Sequence, residues 1–226
     1  MAKTTIFFDM DNTLIDRMQA AQKTYRYILE KSTIPLEEHD EVFALMWSMD
    51  NNGEYPKADI LKEVALRYNF DQKWIDEMVD LWFDALPEFT IVFEKTVSTL
   101  NVLKSKYKIG MITNGSFKMQ SRKIEVAGFA DLFDCIVIAG KYQMSKPKKE
   151  LFMLACEQIG CQPQEAYFVG DSIINDIQGS MGVGMSPIYI WRDDTKPCPI
   201  QHVPHIYTIE QLLEVIWCKQ KLFYLI

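Results

Sequence analysis

The chain has 226 residues, of which 48% are hydrophobic and 24% charged, and a net charge of −7. That composition is ordinary for a soluble globular protein with one large domain, or a medium one carrying an insertion. The acidic balance argues against nucleic acid or an anionic membrane as the main partner, and no apolar run approaches the ~20 residues of a membrane-spanning helix.

The first element is Ile6-Phe7-Phe8, an apolar run without alternation, which predicts a strand buried on both faces. It runs straight into Asp9 and Asp11, too soon for a signal peptide. Carboxylates at the end of a buried strand are costly unless positive charge faces them. From Met18 the pattern turns helical. Met18, Ala21, Tyr25, Ile28 and Leu29 form one stripe, Val42, Phe43, Leu45, Met46 and Met49 a second. Ile60, Leu61, Val64, Ala65 and Tyr68 form a third, and Trp74, Ile75, Met78, Val79 and Trp82 a fourth. Asp50 to Pro56 reads as a loop by its turn residues.

From Glu94 onward helices alternate with strands. Strands are predicted over Lys108 to Thr113, Cys135 to Ala139, Ala166 to Gly170 and Pro187 to Trp191. Helices are predicted at Val97 to Leu103, Phe117 to Ala127, Lys148 to Ile159 and, briefly, Asp176 to Met181. Thr208 and Gln211 fit a capping box opening a last helix through Trp217. This alternation predicts a Rossmann-like parallel sheet covered on both faces, a three-layer α/β/α core. The expected division is a core from 1–15 and 94–226, with 16–93 as an inserted helical domain. The five cysteines form no C-x-x-C pair, which points to reduced thiols in a cytoplasm. Without a cysteine cluster the three histidines make no zinc site and read as surface or loop residues.

Several strands end in polar residues suited to a single site, because a parallel sheet gathers its carboxyl ends. The first offers Asp9 and Asp11, the second Thr113, Asn114 and Gly115, the fourth Asp171 with Asp176 nearby, and a loop after the third offers Lys146. Carboxylates, one lysine, a hydroxyl and free backbone N–H groups fit a divalent cation, best Mg²⁺, together with a phosphate. Each piece alone has a plainer reading. Asp9 and Asp11 would pass for a turn, Thr113-Asn114-Gly115 for another, Lys146 for a solvated lysine and Asp176 for a helix N-terminal charge.

Taken in order, these pieces resemble the haloacid dehalogenase-like hydrolase superfamily. Asp9-Met10-Asp11-Asn12-Thr13 matches its D-x-D-x-T signature and Ile112-Thr113-Asn114-Gly115 its second motif. Lys146-Pro147 matches the third motif, and Gly170-Asp171-Ser172 through Asn175-Asp176 the fourth. The resemblance implies Asp9 as nucleophile on phosphorus and Asp11 as acid and then base. Mg²⁺ would be held by Asp9, the backbone carbonyl of Asp11 and Asp171, with Asp176 as a ligand through water or a support. Asp11 has to be protonated for the first step, so negative charge and burial are expected around it. Thr113, Asn114 and Gly115 would bind the substrate phosphate, and Lys146 would neutralise charge. The helical insertion resembles the family's cap, and the loop Asn51 to Pro56 is a candidate substrate contact, with Trp47 nearby.

Together these expectations describe a Mg²⁺-dependent phosphatase of a small phosphorylated metabolite, a 5′-nucleotidase first. Phosphoglycolate phosphatase, sugar-phosphate phosphatase and phosphomutase are the alternatives. Asp11 disfavours the metal-free dehalogenase branch, and no cap lysine stands out for phosphonate cleavage. A non-catalytic phosphate-binding module is the rival from another class.

Overall fold

The computed structural model describes residues 3–216. The residues up to Asp16 together with those from Val92 onward form one compact unit, and Arg17–Ile91 forms a second.

The first unit is built on six parallel strands, β1 (Thr5–Phe8), β2 (Lys108–Thr113), β3 (Cys135–Ile138), β4 (Ala166–Gly170), β5 (Ser186–Ile190) and β6 (His205–Ile206). Their order is β3-β2-β1-β4-β5-β6. Succession runs outward from β1 to β3, then returns across the sheet to β4. In open α/β sheets this reversal opens a crevice at the carboxyl ends, between β1 and β4. Both faces of the sheet are covered. Ile6 and Phe8 join Ile109, Met111, Tyr167, Val169 and Ile188 on one side, with Leu100, Leu103 and Phe129 packed over them. Phe7, Ile112, Val137 and Phe168 pack on the other side against Leu151, Phe152 and Ala155. This explains the unbroken apolar run of β1, since a strand with a core on each side has no solvent face to alternate toward. Gly110, paired with Phe7 in the ladder, leaves room for that ring; a Cβ there would lie 2.5 Å from it.

The helices of this unit are α5 (Thr96–Lys104), α6 (Phe117–Val126), the short α7 (Ala139–Tyr142), α8 (Lys149–Ile159) and α9 (Gly179–Gly182). The short helix expected over Asp176 to Met181 is instead a π-helix at Ile173–Gln178 leading into α9. Ser172 caps it, accepting from the Asn175 N–H at 3.2 Å. The two-residue β6 carries His205, read from sequence as a surface or loop residue; it is too short to show a period. The last helix is present over 211–216, and the Gln211 side chain accepts from the Thr208 N–H as the capping pattern requires. Trp217 and the apolar stretch after it lie outside the described residues.

The second unit contains α1 (Arg17–Lys31), α2 (His39–Asp50), α3 (Lys57–Tyr68) and α4 (Gln72–Ala85). The predicted stripes are buried at Ala21, Tyr25, Ile28, Leu29, Val42, Met46, Ile60, Leu61, Val64, Ala65, Ile75, Met78 and Trp82. Phe43, Leu45, Met49, Tyr68, Trp74 and Val79 are only half-buried, and Met18 is exposed; Arg17 is buried instead. Arg17 Nη1 meets Asp50 Oδ2 at 3.1 Å, Lys57 Nζ meets Asp50 Oδ1 at 2.5 Å, and the Tyr25 hydroxyl donates to the same oxygen at 2.8 Å. Burial alone would raise Asp50, but Arg17 and Lys57 outweigh it and hold the carboxyl below its usual range. Asp50 therefore ends a helix and anchors a buried ionic cluster, whereas its sequence context read as loop. Gly53 follows with φ +86°, and a Cβ there would strike the Arg17 guanidinium at 2.2 Å.

Candidate active site

β1 delivers Asp9 one residue beyond its end, at the crevice where the strand order reverses. Asp9 is 6% exposed, and its N–H is held by the Val169 carbonyl at 2.9 Å, which ties it to β4. Asp171 and Asp176 approach from the end of β4 and the π-helix. One carboxylate oxygen from each of Asp9, Asp171 and Asp176 lies within 4.8 Å of the others. Lys146 Nζ bridges two of them, 2.6 Å from Asp9 Oδ1 and 2.7 Å from Asp176 Oδ1. Asp176 Oδ2 also accepts the Ser172 N–H at 2.9 Å. Asp176 thus has a tertiary task, beyond the helix N-terminal charge that its local sequence suggested. The close approach depends on Gly170, where a Cβ would fall 2.4 Å from the Asp176 carboxylate.

The charge state follows from the packing. Burial pushes Asp9 up to about 7; Lys146 opposes this while Asp176 and Asp11 add to it. Burial, then Asp9 and Asp176, raise Asp171 well above its usual range. Burial alone would lower Lys146, but Asp176 and Asp9 outweigh it and keep the ammonium firmly protonated. Negative charge beyond what Lys146 offsets, presented by hard oxygen donors with no sulfur or imidazole among them, is the donor set that suits a divalent cation of the Mg²⁺ type.

Asp11 sits differently. Its carboxylate belongs to another network and is absent from the three-carboxylate cluster. Lys123 Nζ is 2.7 Å from Oδ1 and Gln120 Nε2 is 3.0 Å from Oδ2. A cation thus stands where the sequence reading expected negative charge. Gln120 also donates to Thr113 Oγ1 at 2.7 Å, so α6 ties the second motif to the first. Both α6 side chains are buried, Gln120 at 0% and Lys123 at 2% exposure. Neither was singled out from sequence. The signal available was two polar residues three apart on the buried face of a helix that directly follows Thr113-Asn114-Gly115.

Thr113 is buried and Gly115 turns the chain with φ +112°, where L side chains are disfavoured. Asn114 is occupied by structure. Its side-chain oxygen accepts the Lys146 N–H at 2.8 Å and its amide donates to the Lys146 carbonyl at 3.2 Å. This reciprocal pair clamps the backbone that presents Lys146, whose peptide to Pro147 is cis. A further residue missed from sequence is Arg192, just past β5. It donates to the carbonyls of Asn12 (3.3 Å) and Thr13 and stacks on Phe93 at 3.8 Å, bracing the turn after Asp11. Asn12, in the left-handed region at φ 56°, makes that turn.

A model of the haloacid dehalogenase-like hydrolase family matches residues 6–190. The mouse N-acylneuraminate-9-phosphatase is 25% identical, over 93% of this chain and 91% of that protein. A pyrimidine 5′-nucleotidase of Escherichia coli is 28% identical, over 92% and 96%. The magnesium-bound crystal structure of YfnB from Bacillus subtilis superposes with a TM-score of 0.78, covering 96% of this chain and 99% of that one at 20% identity.

Proposed function

The chain belongs to the haloacid dehalogenase-like hydrolase family, and from that membership we propose that it is a Mg²⁺-dependent phosphatase of small phosphate monoesters, with a nucleoside monophosphate as the first substrate to test. The observation that carries this reading is the cluster of Asp9, Asp171 and Asp176 at the strand ends, with Asp11 two residues on in a separate hydrogen-bond network. Asp9 is packed with Asp171, Asp176 and Lys146. Asp11, two residues on, is held by Lys123 and Gln120. The two carboxylates thus face separate partners, and their roles as nucleophile and acid follow from the family membership.

In this reading an Asp9 oxygen attacks phosphorus and displaces the ester oxygen, which takes a proton from Asp11; an aspartyl-phosphate results. Asp11, now a base, takes a proton from the water that hydrolyses it. Lys146 keeps Asp9 aimed and offsets its charge as a phosphate approaches. Thr113 and the backbone N–H groups of Asn114 and Gly115 bind phosphate oxygens, the Asn114 side chain being committed to Lys146. Gln120 and Lys123 position Asp11. Asp9, the backbone carbonyl of Asp11 and Asp171 would hold Mg²⁺, with Asp176 behind them. When bound, the ion supplies positive charge for the phosphoryl oxygens and for the carboxylate that must approach them. Asp11 separates this chemistry from that of the dehalogenase branch, which works without it.

We assign 16–93 as a cap that limits access to the core, with the Asn51 to Pro56 loop and its exposed Tyr55 selecting among leaving groups. The natural substrate is a soluble phosphorylated metabolite and the compartment the cytoplasm. Among the described residues, no helix is long and apolar enough to cross a membrane. The relatives named above act on an acylneuraminate phosphate and on pyrimidine nucleotides, and both substrate classes belong in the test. Phosphate release is measured from nucleoside monophosphates, sugar phosphates and phosphoglycolate, with Mg²⁺, with chelator, and with Asp9→Asn. Turnover lost in both controls supports the reading. Turnover by the wild type that survives Asp9→Asn refutes the aspartyl mechanism, and no release from any ester by folded protein favours a binding module.

A further inference from the structure

Helix α8 ends in a Schellman motif, at the amino ends of the strands and away from the carboxylates. Gly160 is left-handed (φ 72°, ψ 54°) and its N–H bonds the Glu157 carbonyl at 3.2 Å, while the Cys161 N–H reaches back to the Cys156 carbonyl at 3.0 Å. This bond pattern stacks the side chain after the glycine on the one five residues earlier, a contact usually made by two apolar residues. Here both are free cysteines, and Cys161 packs against the apolar cluster that contains Cys156. Cys156 is 2% exposed and Cys161 only half-buried, so Cys161 reaches the surface beside a buried Cys156.

We propose that Cys156 and Cys161 are a modification site that hydrogen peroxide converts to a reversible disulfide. Burial assigns the roles: half-buried Cys161 is the residue an oxidant reaches, and Cys156, 2% exposed, is the partner behind it. The Cys156 thiol, then Thr5 and Lys108, lower Cys161 from its usual range against its burial, which favours the thiolate. Cys156 is pushed up by Cys161 and by burial, and stays a thiol. Cys135 is nearby, but burial raises it to about 11 and its S–H is turned to Gln158 Oε1 at 3.3 Å. Among the described residues the thiols do not gather into a group of three metal ligands.

In the first step the Cys161 thiolate attacks one peroxide oxygen. The O–O bond breaks, hydroxide leaves as water after taking a proton, and Cys161 becomes a sulfenic acid. In the second step the Cys156 sulfur attacks the Cys161 sulfur. The S–S bond forms, the S–O bond breaks, and the departing hydroxide takes the Cys156 proton as water. Two thiols lose two electrons and one peroxide becomes two waters. A dithiol reductant reverses the product through a mixed disulfide.

The test treats the full chain, Mg²⁺ present, with hydrogen peroxide, then alkylates under denaturing conditions and maps the peptides by mass. The expected result is loss of two hydrogens from the peptide holding both residues, no alkylation at either, and recovery of both with dithiothreitol. In Cys156→Ser the Cys161 sulfenic acid should be trapped by dimedone. The proposal is overturned if all thiols remain alkylatable. It is equally overturned if wild-type Cys161 goes to sulfinic acid with Cys156 intact, or if the bridge joins Cys161 to Cys135 or Cys218.

Discussion

Removing Mg²⁺ should make this protein more stable at mildly acidic pH than at alkaline pH, the reverse of the usual acid denaturation. Asp9 has an ordinary value of 3.8 and rises to about 7 in the fold, chiefly through burial. The folded state therefore binds a proton more tightly than the unfolded chain, so stability falls as pH rises between these values. At about 1.4 kcal/mol per pH unit, this displacement sets a ceiling of about 4 kcal/mol for Asp9. Asp171 shifts in the same direction, but the cluster shares its charge with Lys146, so we expect about 2 kcal/mol of net loss from about pH 5.5 to about pH 8. For a chain of this size that is a drop in Tm of about 4–8 °C. Lys146 adds no slope here, because a lysine held above its usual value loses its contribution only at far higher pH. The assay is thermal unfolding followed by circular dichroism in chelator at both pH values, for wild type and Asp9→Asn. Asparagine stands in for the protonated carboxyl, so the variant should be more stable than wild type at the higher pH and show a shallower slope. Saturating Mg²⁺ should flatten the wild-type profile. A metal-free wild type that is no less stable at about pH 8, or an Asp9→Asn slope equal to its own, would refute this account of the cluster.

Lys146→Met removes the cation between Asp9 and Asp176 and should lower kcat by about 10²–10³-fold in the phosphate-release assay; a loss under tenfold would deny Lys146 its part in the chemistry. Lys123→Met should cost about 10–100-fold in kcat with the far-ultraviolet spectrum unchanged, because it leaves Asp11 in place but poorly oriented. Unaltered steady-state kinetics would show that Lys123 serves structure alone. Asp50→Ala strands Arg17 and Lys57 in the second unit without their carboxylate and should cost about 3–5 kcal/mol in urea unfolding. A cost below about 1 kcal/mol would mean that the two cations find water instead. Tyr55→Ala should change the ranking of kcat/KM among esters more than the rate on a small generic ester; equal effects on all of them would remove Tyr55 from substrate selection.

Much of the site was legible because its residues sit in short local patterns. The apolar run into Asp9, the turn at Thr113-Asn114-Gly115 and the strand ending at Asp171 need only their neighbours to be read. Side chains whose importance comes from a distant partner were not legible. Lys123 resembles any helical lysine until Asp11 is placed 2.7 Å away. Lys57 appeared as one cap lysine among several, yet the fold buries it against Asp50 and Trp82. Asn114 read as a phosphate contact, and its amide is spent on the Lys146 backbone.

By itself the sequence determined that the core is a parallel α/β sheet, since alternating strand and helix periods are written in successive residues. It also determined that carboxylates end the strands flanking the crevice. Only the tertiary structure decided the strand order that opens the crevice between β1 and β4, the bridge of Lys146 to an aspartate 137 positions away, and the separation of Asp9 from Asp11 into different networks. Hydrophobic period is a property of neighbouring residues, whereas the charge state of a buried carboxylate depends on which groups the fold packs around it.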